Sequence, residues 1–172
     1  NNTLKLKDIV IWSKRKNIQW HSKGRLKNGF EYILFFVKNE RYKFYIDSVR
    51  DATDYKKWWL TYPERYNTNG APPSNLWEFS IPIRGWGNGY QNHLCPFPFR
   101  LVERIVSLST DRGDLVFDPF EGSGSVLAIA QVMGRPAIGF DINERYKLKF
   151  RKEVVPGARK YWVQRQKEGE LT

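Results

Sequence analysis

The run Asp118-Pro119-Phe120-Glu121-Gly122-Ser123-Gly124-Ser125 gathers acids, glycines and hydroxyls at a spacing suited to a nucleotide-like ligand. Gly122 and Gly124 carry no Cβ, so a ligand can approach the backbone closely, and the free N–H groups of a helix start would face it. Asp141 follows Asp118 by 23 residues. An acid at the end of the next strand, at that distance, accepts both hydroxyls of a ribose. Leu127 occupies the place of the third glycine in the dinucleotide fingerprint, and no Lys follows Gly124-Ser125 as a phosphate-binding P-loop requires. The ligand these residues favour is a nucleoside with a small charged tail. The plainer alternative is a tight strand-to-helix turn, with Asp141 capping the helix that begins near Asn143.

The elements around these residues follow from local pattern. Residues 115–117 form a short buried strand, residues 125–133 a helix ended by Gly134, residues 137–140 a second strand, and a last helix starts at Asn143. That is a βαβ unit, which implies an α/β fold with a parallel sheet and a right-handed crossover. Upstream, residues 98–107 form a helix with Leu101, Val102, Ile105 and Val106 on one face and Pro98 at its start. Residues 8–12 and 31–37 are strands, the second continuously apolar and expected to be buried on both faces. Their basic connection suggests an antiparallel pair with its loop outside the core. Residues 48–92, with Trp58, Trp59, Trp77 and Trp86, form an irregular excursion. One incomplete domain thus divides into residues 1–47, 48–92 and 93–172.

Composition bounds the function class. The chain has 172 residues and a net charge of +11, with 41% hydrophobic and 16% aromatic residues, which excludes a disordered tail. No apolar run approaches the length of a membrane span. The one cysteine, Cys95, cannot form an internal disulfide, which favours a reducing, cytoplasmic or nucleoid-associated setting. The charge is uneven: residues 1–50 carry 12 basic and 4 acidic side chains, whereas residues 101–150 carry 6 and 7. A polyanion partner accounts for a basic flank; a solubilising surface is the alternative. The chain begins at Asn1 rather than Met, which suggests a fragment.

The ordered set of motifs resembles the DNA amino-methyltransferases that modify N6 of adenine or N4 of cytosine. Asp118 to Gly124, then Met133-Gly134-Arg135, then Ile138-Gly139-Phe140-Asp141-Ile142-Asn143 with Tyr146, is similar to the S-adenosylmethionine-binding region of that family. His93-Leu94-Cys95-Pro96-Phe97-Pro98 resembles the segment before the glycine turn in members with the permuted motif order called the β class. Residues 8–14 and 31–38 look like that family's two late strands, and Asn75-Leu76-Trp77-Glu78 like the lead into the His-containing motif. The resemblance implies part of a Rossmann-like class I methyltransferase sheet. It assigns Asp118, Pro119, Phe120, Gly122, Ser123, Gly124 and Ser125 to the cofactor turn and Asp141 to the ribose. His93, Phe97 and Pro98 would close the pocket, His93 as a positioning or packing residue. The basic connection, with Lys14, Arg15, Lys16, Lys23, Arg25 and Lys27, would contact DNA phosphates.

Two departures matter. Ser125 stands where the family usually has Thr, which keeps the hydroxyl. The family's catalytic tetrad (Asp, Asn or Ser, two prolines, an aromatic) is absent: Ala71-Pro72-Pro73-Ser74 has only the prolines. In the β-class order the tetrad and two central strands lie upstream of everything in this chain. The expectation is therefore a cofactor-binding half, with no catalytic residue assigned, that needs an N-terminal half or a second chain for activity. A modification or restriction-modification setting goes with it. The alternatives are an RNA or small-molecule methyltransferase, and a non-catalytic DNA- or cofactor-binding subunit.

Overall fold

The computed structural model describes residues 3–14, 23–24, 26, 28–51, 67, 69–81 and 96–169. Two compact units are present, Asn1–Glu78 with Ser107–Ser109, and Phe79–Val106 with Thr110–Thr172.

In the first unit, β1 (Lys5–Ser13) pairs antiparallel with β2 (Phe30–Val37) and parallel with β3 (Leu76–Glu78). Both long strands are rich in β-branched and aromatic residues, which suit a pleated, half-covered surface. The register pairs Val10 with Ile33 and Trp12 with both Glu31 and Trp77. Val10, Trp12, Val37 and Trp77 are buried on that face. The Trp77 indole N–H donates to the Ser74 carbonyl at 2.9 Å, so its polar edge is satisfied. The expectation of a β2 buried on both faces is not met. Burial alternates along the strand, and Phe30, Tyr32, Leu34 and Phe36 lie on an open face, Tyr32 64% exposed. Successive side chains point to opposite faces, and only one face is covered by described residues.

Within the segment read as irregular, the structure finds the strand β3. Three residues are too few for an alternating pattern to register. The pairing is anchored by the Ile11 N–H, which donates to the Asn75 carbonyl at 2.8 Å.

The second unit runs α1 (Phe99–Ser109, whose last three residues cluster with the first unit), β4 (Val116–Asp118), α2 (Ser125–Val132), β5 (Ala137–Gly139) and α3 (Glu144–Lys149). A π-helical turn (Phe150–Val154) and α4 (Val155–Lys167) complete it. The strands β4 and β5 are parallel and joined through α2, the βαβ unit that the spacing implies. Val102 and Val106 of α1, Ala128 and Ile129 of α2, Met133, Val154 and Ala158 form its core. Ile105, expected in the same stripe, is 37% exposed. Among the described residues no helix is long and apolar enough to cross a membrane, and no group of side chains could hold a metal ion.

A polar lock joins α1 to α4. The buried Glu103 carboxylate accepts from the Tyr161 hydroxyl and, at 3.2 Å, from the Arg165 guanidinium. Burial, then the bond to Glu103, pushes the Tyr161 phenol well above its usual range. Removing one partner of a buried pair strands the other. Glu103→Ala is expected to lower the unfolding free energy by about 3 kcal/mol; a urea midpoint unchanged from the unsubstituted chain would contradict this.

Candidate functional site

The site grows from the carboxyl ends of β4 and β5. Open parallel sheets bind ligands there, because the loops leaving the strands converge at that edge. Beyond β4, the Asp118 carboxylate accepts from the Phe120 N–H at 3.1 Å and starts the turn. The Phe140 N–H donates to the Asp118 carbonyl, and the Glu121 N–H to the Phe140 carbonyl, so the ladder continues past the ends of the strands. The Gly124 N–H then donates to the Glu121 carbonyl at 2.8 Å and closes the turn onto α2.

Asp141 binds the two loops together. One carboxylate oxygen accepts from the Gly122 N–H at 3.0 Å, the other from the Asn143 N–H at 2.7 Å. The helix-capping role weighed for Asp141 belongs to Asn143, whose side chain accepts from the Arg145 N–H at 3.1 Å. Asp141 is exposed, and a carboxylate has about four acceptor positions, so acceptor capacity remains on the solvent side.

The two glycines of the turn differ in what demands them. Both have positive φ, 52° at Gly122 and 81° at Gly124, a region costly for residues with a Cβ. At Gly124 the space a Cβ would take is filled by the Phe150 ring of the π-helical turn. Gly124 therefore serves helix packing, in addition to the ligand approach expected of it. Ser123 and Ser125 are buried beside it, and no side chain caps α2.

Glu121 belongs to the site although the motifs assign it no role. Its carboxylate lies across Gly139, where a Cβ would collide with it. Burial, then Asp118 and Asp141, holds its carboxyl above the usual range. Three carboxylates sharing one loop cluster suit a cationic ligand. The sequence carried a signal in the three acids at 118, 121 and 141, but not that Gly139 makes room for the middle one.

Other assigned residues sit elsewhere. Phe120 is 89% exposed on the turn and Pro119 is exposed. Pro98 is buried at the N-cap of α1, where its carbonyl accepts from the Leu101 and Val102 N–H groups, and Phe97 is 45% exposed beside it. Among the basic residues assigned to phosphates, Lys23 is exposed. Lys14 is not available in that way: it is buried, its ammonium paired with Glu31 and 5.2 Å from the centre of the Trp12 ring. The register that sets Trp12 opposite Glu31 draws Lys14 back over the covered face. His93, Arg15, Lys16, Arg25 and Lys27 lie outside the described residues, as do Trp58, Trp59, Trp86 and Cys95.

The family model described as DNA methylase, of the N6 and N4 methyltransferases, matches residues 1–152. Type II methyltransferase M1.MboII of Moraxella bovis is 34% identical over 151 residues, covering 80% of this chain and 58% of its own. DNA adenine methyltransferase YhdJ of Escherichia coli is 33% identical over 152 residues, covering 82% and 49%. Type II methyltransferase M.HpaI of Haemophilus parainfluenzae is 36% identical over 115 residues, covering 66% and 34%. The chain thus spans between 34% and 58% of the length of these relatives. Among solved structures, the cytosine-N4-specific PvuII DNA methyltransferase matches with a TM-score of 0.64 at 20% identity, over 94% of this chain and 57% of its own. M1.HpyAVI in complex with S-adenosylmethionine matches at 0.59 and 23%, over 87% and 62%. The fold is the expected one, an α/β Rossmann-like class I methyltransferase sheet.

A carboxyl whose folded pKa is raised adds stability below its unfolded range, and loses it as pH rises through the folded value. At neutral pH the ionised Glu121 therefore opposes folding. Glu121→Gln is expected to melt at a higher temperature than the unsubstituted chain at pH 7, the gap closing towards about pH 4. Equal melting temperatures across that range would contradict the crowding of charge around Glu121.

Proposed function

The chain belongs to the DNA methylase family of N4 and N6 amino-methyltransferases, and from that premise we propose that it is the cofactor-binding part of a DNA methyltransferase. The cofactor is S-adenosylmethionine, and the target is the exocyclic amine of cytosine (N4) or adenine (N6). The observation that carries this reading is the Asp141 carboxylate, fixed by Gly122 and Asn143 at the carboxyl ends of two parallel strands.

The residues present fit the cofactor. Asp141 keeps acceptor positions for the ribose hydroxyls, and exposed Phe120 and Ile142 offer apolar surface on the two loops. The carboxylates of Asp118, Glu121 and Asp141 suit the positive charges of its sulfonium and amino groups. When bound, the cofactor supplies an activated methyl group. The chain's own contribution is to orient the ligand, which is the proximity term of catalysis. The resemblance assigns Phe97, Pro98 and His93 to the pocket wall, and of these Pro98 stands at the start of α1 with Phe97 beside it. The target amine is inaccessible inside a duplex, so the base must be extruded towards the site, and the basic segment 14–27 contacts backbone phosphates, without Lys14.

The Pro-Pro-aromatic tetrad comes from a further segment, either upstream in the same polypeptide or on a second chain. Supporting this are the apolar faces that described residues leave open: Tyr32 and Leu34 on β2, and Phe117 and Ile138 on β4 and β5, with Phe117 58% exposed. Faces of this kind mark contact surfaces, and strands with unpaired edges invite pairing. Relatives named as type II methyltransferases support a modification or restriction-modification setting.

Calorimetry with S-adenosylmethionine tests the cofactor site. Asp141→Ala should weaken binding about ten- to a hundredfold, since hydrogen bonds to a charged group are worth about 1.5–3 kcal/mol. Asp141→Asn, which keeps one acceptor oxygen, should weaken it less. Unchanged affinity in both variants removes Asp141 from the site. Methyl transfer to DNA by the 172-residue chain alone, at rates typical of an enzyme, overturns the reading as a part.

A further inference from the structure

The last helical stretch carries charge that neither the core nor the cofactor turn uses. Its three pieces are continuous, because Phe150 and Val155, the residues that join them, keep right-handed helical backbone. Along it, buried Val154 and Ala158 and half-buried Tyr161 and Arg165 mark the inner side. Lys152, Arg159, Lys160 and Lys167 recur at intervals of seven, eight and fifteen residues, the spacing of one helical side, and all four are exposed. Lys147 and Arg151, also exposed, follow each other at four residues. Glu144 and Glu153 are the acids of this stretch, yet none of these six bases is paired with an acid among the described residues. Exposed Leu148 and Val163 stand fifteen residues apart, about 22 Å along a helix, too far to make one apolar patch. Charge is the property this side presents.

We propose that the outer side of this helical stretch is a phosphate-contacting surface for duplex DNA, in addition to the contacts proposed for the basic segment 14–27. From Lys147 to Lys167 it runs about 30 Å, close to one turn of a duplex, whose charges are about 1.7 Å apart along the axis. Lysines and arginines on a rigid helix meet such a row by displacing its counterions, without reading bases. The choice of DNA over another polyanion rests on the reading given under Proposed function; the surface itself rests on the spacing and exposure of the bases.

The test is fluorescence anisotropy of the 172-residue chain on a labelled random-sequence duplex between 50 and 200 mM salt. The chain is compared with the Lys152→Gln/Arg159→Gln/Lys160→Gln variant, with melting temperature and S-adenosylmethionine affinity measured on both. Expected are an unchanged melting temperature, at least tenfold weaker duplex binding at 100 mM salt, and a log–log salt slope shallower by about 2 to 3. An unchanged slope overturns the proposal, as does the absence of duplex binding by the unsubstituted chain at 50 mM salt. An equal loss in Lys5→Gln/Lys7→Gln/Lys38→Gln also overturns it, since net charge would then be the cause. Tighter binding of single-stranded RNA than of duplex overturns the choice of DNA. If the chain binds no S-adenosylmethionine while the slope change holds, the cofactor reading fails and the surface stands.

Discussion

Each oxygen of the Asp141 carboxylate accepts one backbone N–H, from Gly122 in the turn after β4 and from Asn143 before α3. Two loops that leave neighbouring strands are thereby held at a fixed separation, and the edge where a ligand would sit acquires a defined shape. The ladder beyond the strands, through Phe140 to Asp118 and Glu121 to Phe140, aligns the same two loops from beneath. A charged acceptor makes stronger bonds than a neutral one, so this link is well suited to hold a turn built on two glycines. The same carboxylate faces solvent, and one group can therefore both shape the site and receive a ligand.

The turn depends in its other half on the helices. Phe150 fills the space beside Gly124, and Phe150 belongs to a π-helical turn packed on the core of Val102, Ile129 and Ala158. The helix that follows is fastened to α1 through Glu103, Tyr161 and Arg165. The position of a ring in contact with the ligand turn is thus set by a polar lock on the far part of the same helical stretch. Interiors packed at crystal-like density carry such constraints without slack.

The parts of this fold that were legible in the sequence are those whose signal is local. Strand, glycine turn, helix and strand from 115 to 140 announce themselves by composition and length, and the acid at 141 by its distance from 118. What escaped depends on partners far along the chain. Whether β2 is covered on one face or two is decided by what packs on it, and an apolar run such as Phe35-Phe36-Val37 looks the same in either case. Lys14 read as a surface charge because nothing local shows that the antiparallel register brings Glu31 and Trp12 to it. Glu121 escaped because its crowding comes from burial, from Asp118, and from across the sheet, through Gly139 of β5 and Asp141 beyond it. The strand Leu76–Glu78 escaped because its three residues are held by a neighbour more than sixty positions away.

Layering within the second unit keeps its two remaining surfaces apart. The helix α2 packs on β4 and β5, and α4 packs on α2 rather than on the strands. The apolar face bearing Phe117 and Ile138 is therefore a surface of the sheet layer, and the basic side of α4 a surface of the helical layer. Apolar area favours burial against another protein segment, at about 25 cal/mol for each Å² covered. Exposed lysine and arginine oppose such burial, since each charge would lose its hydration, and favour a polyanion that remains wet. A segment covering the strands would leave the α4 surface in water, and a duplex on α4 would leave the strands free to be covered. With the glycine turn at the carboxyl edge of the strands, one small α/β unit presents an apolar face, a basic side and a glycine-rich acidic edge as three different surfaces.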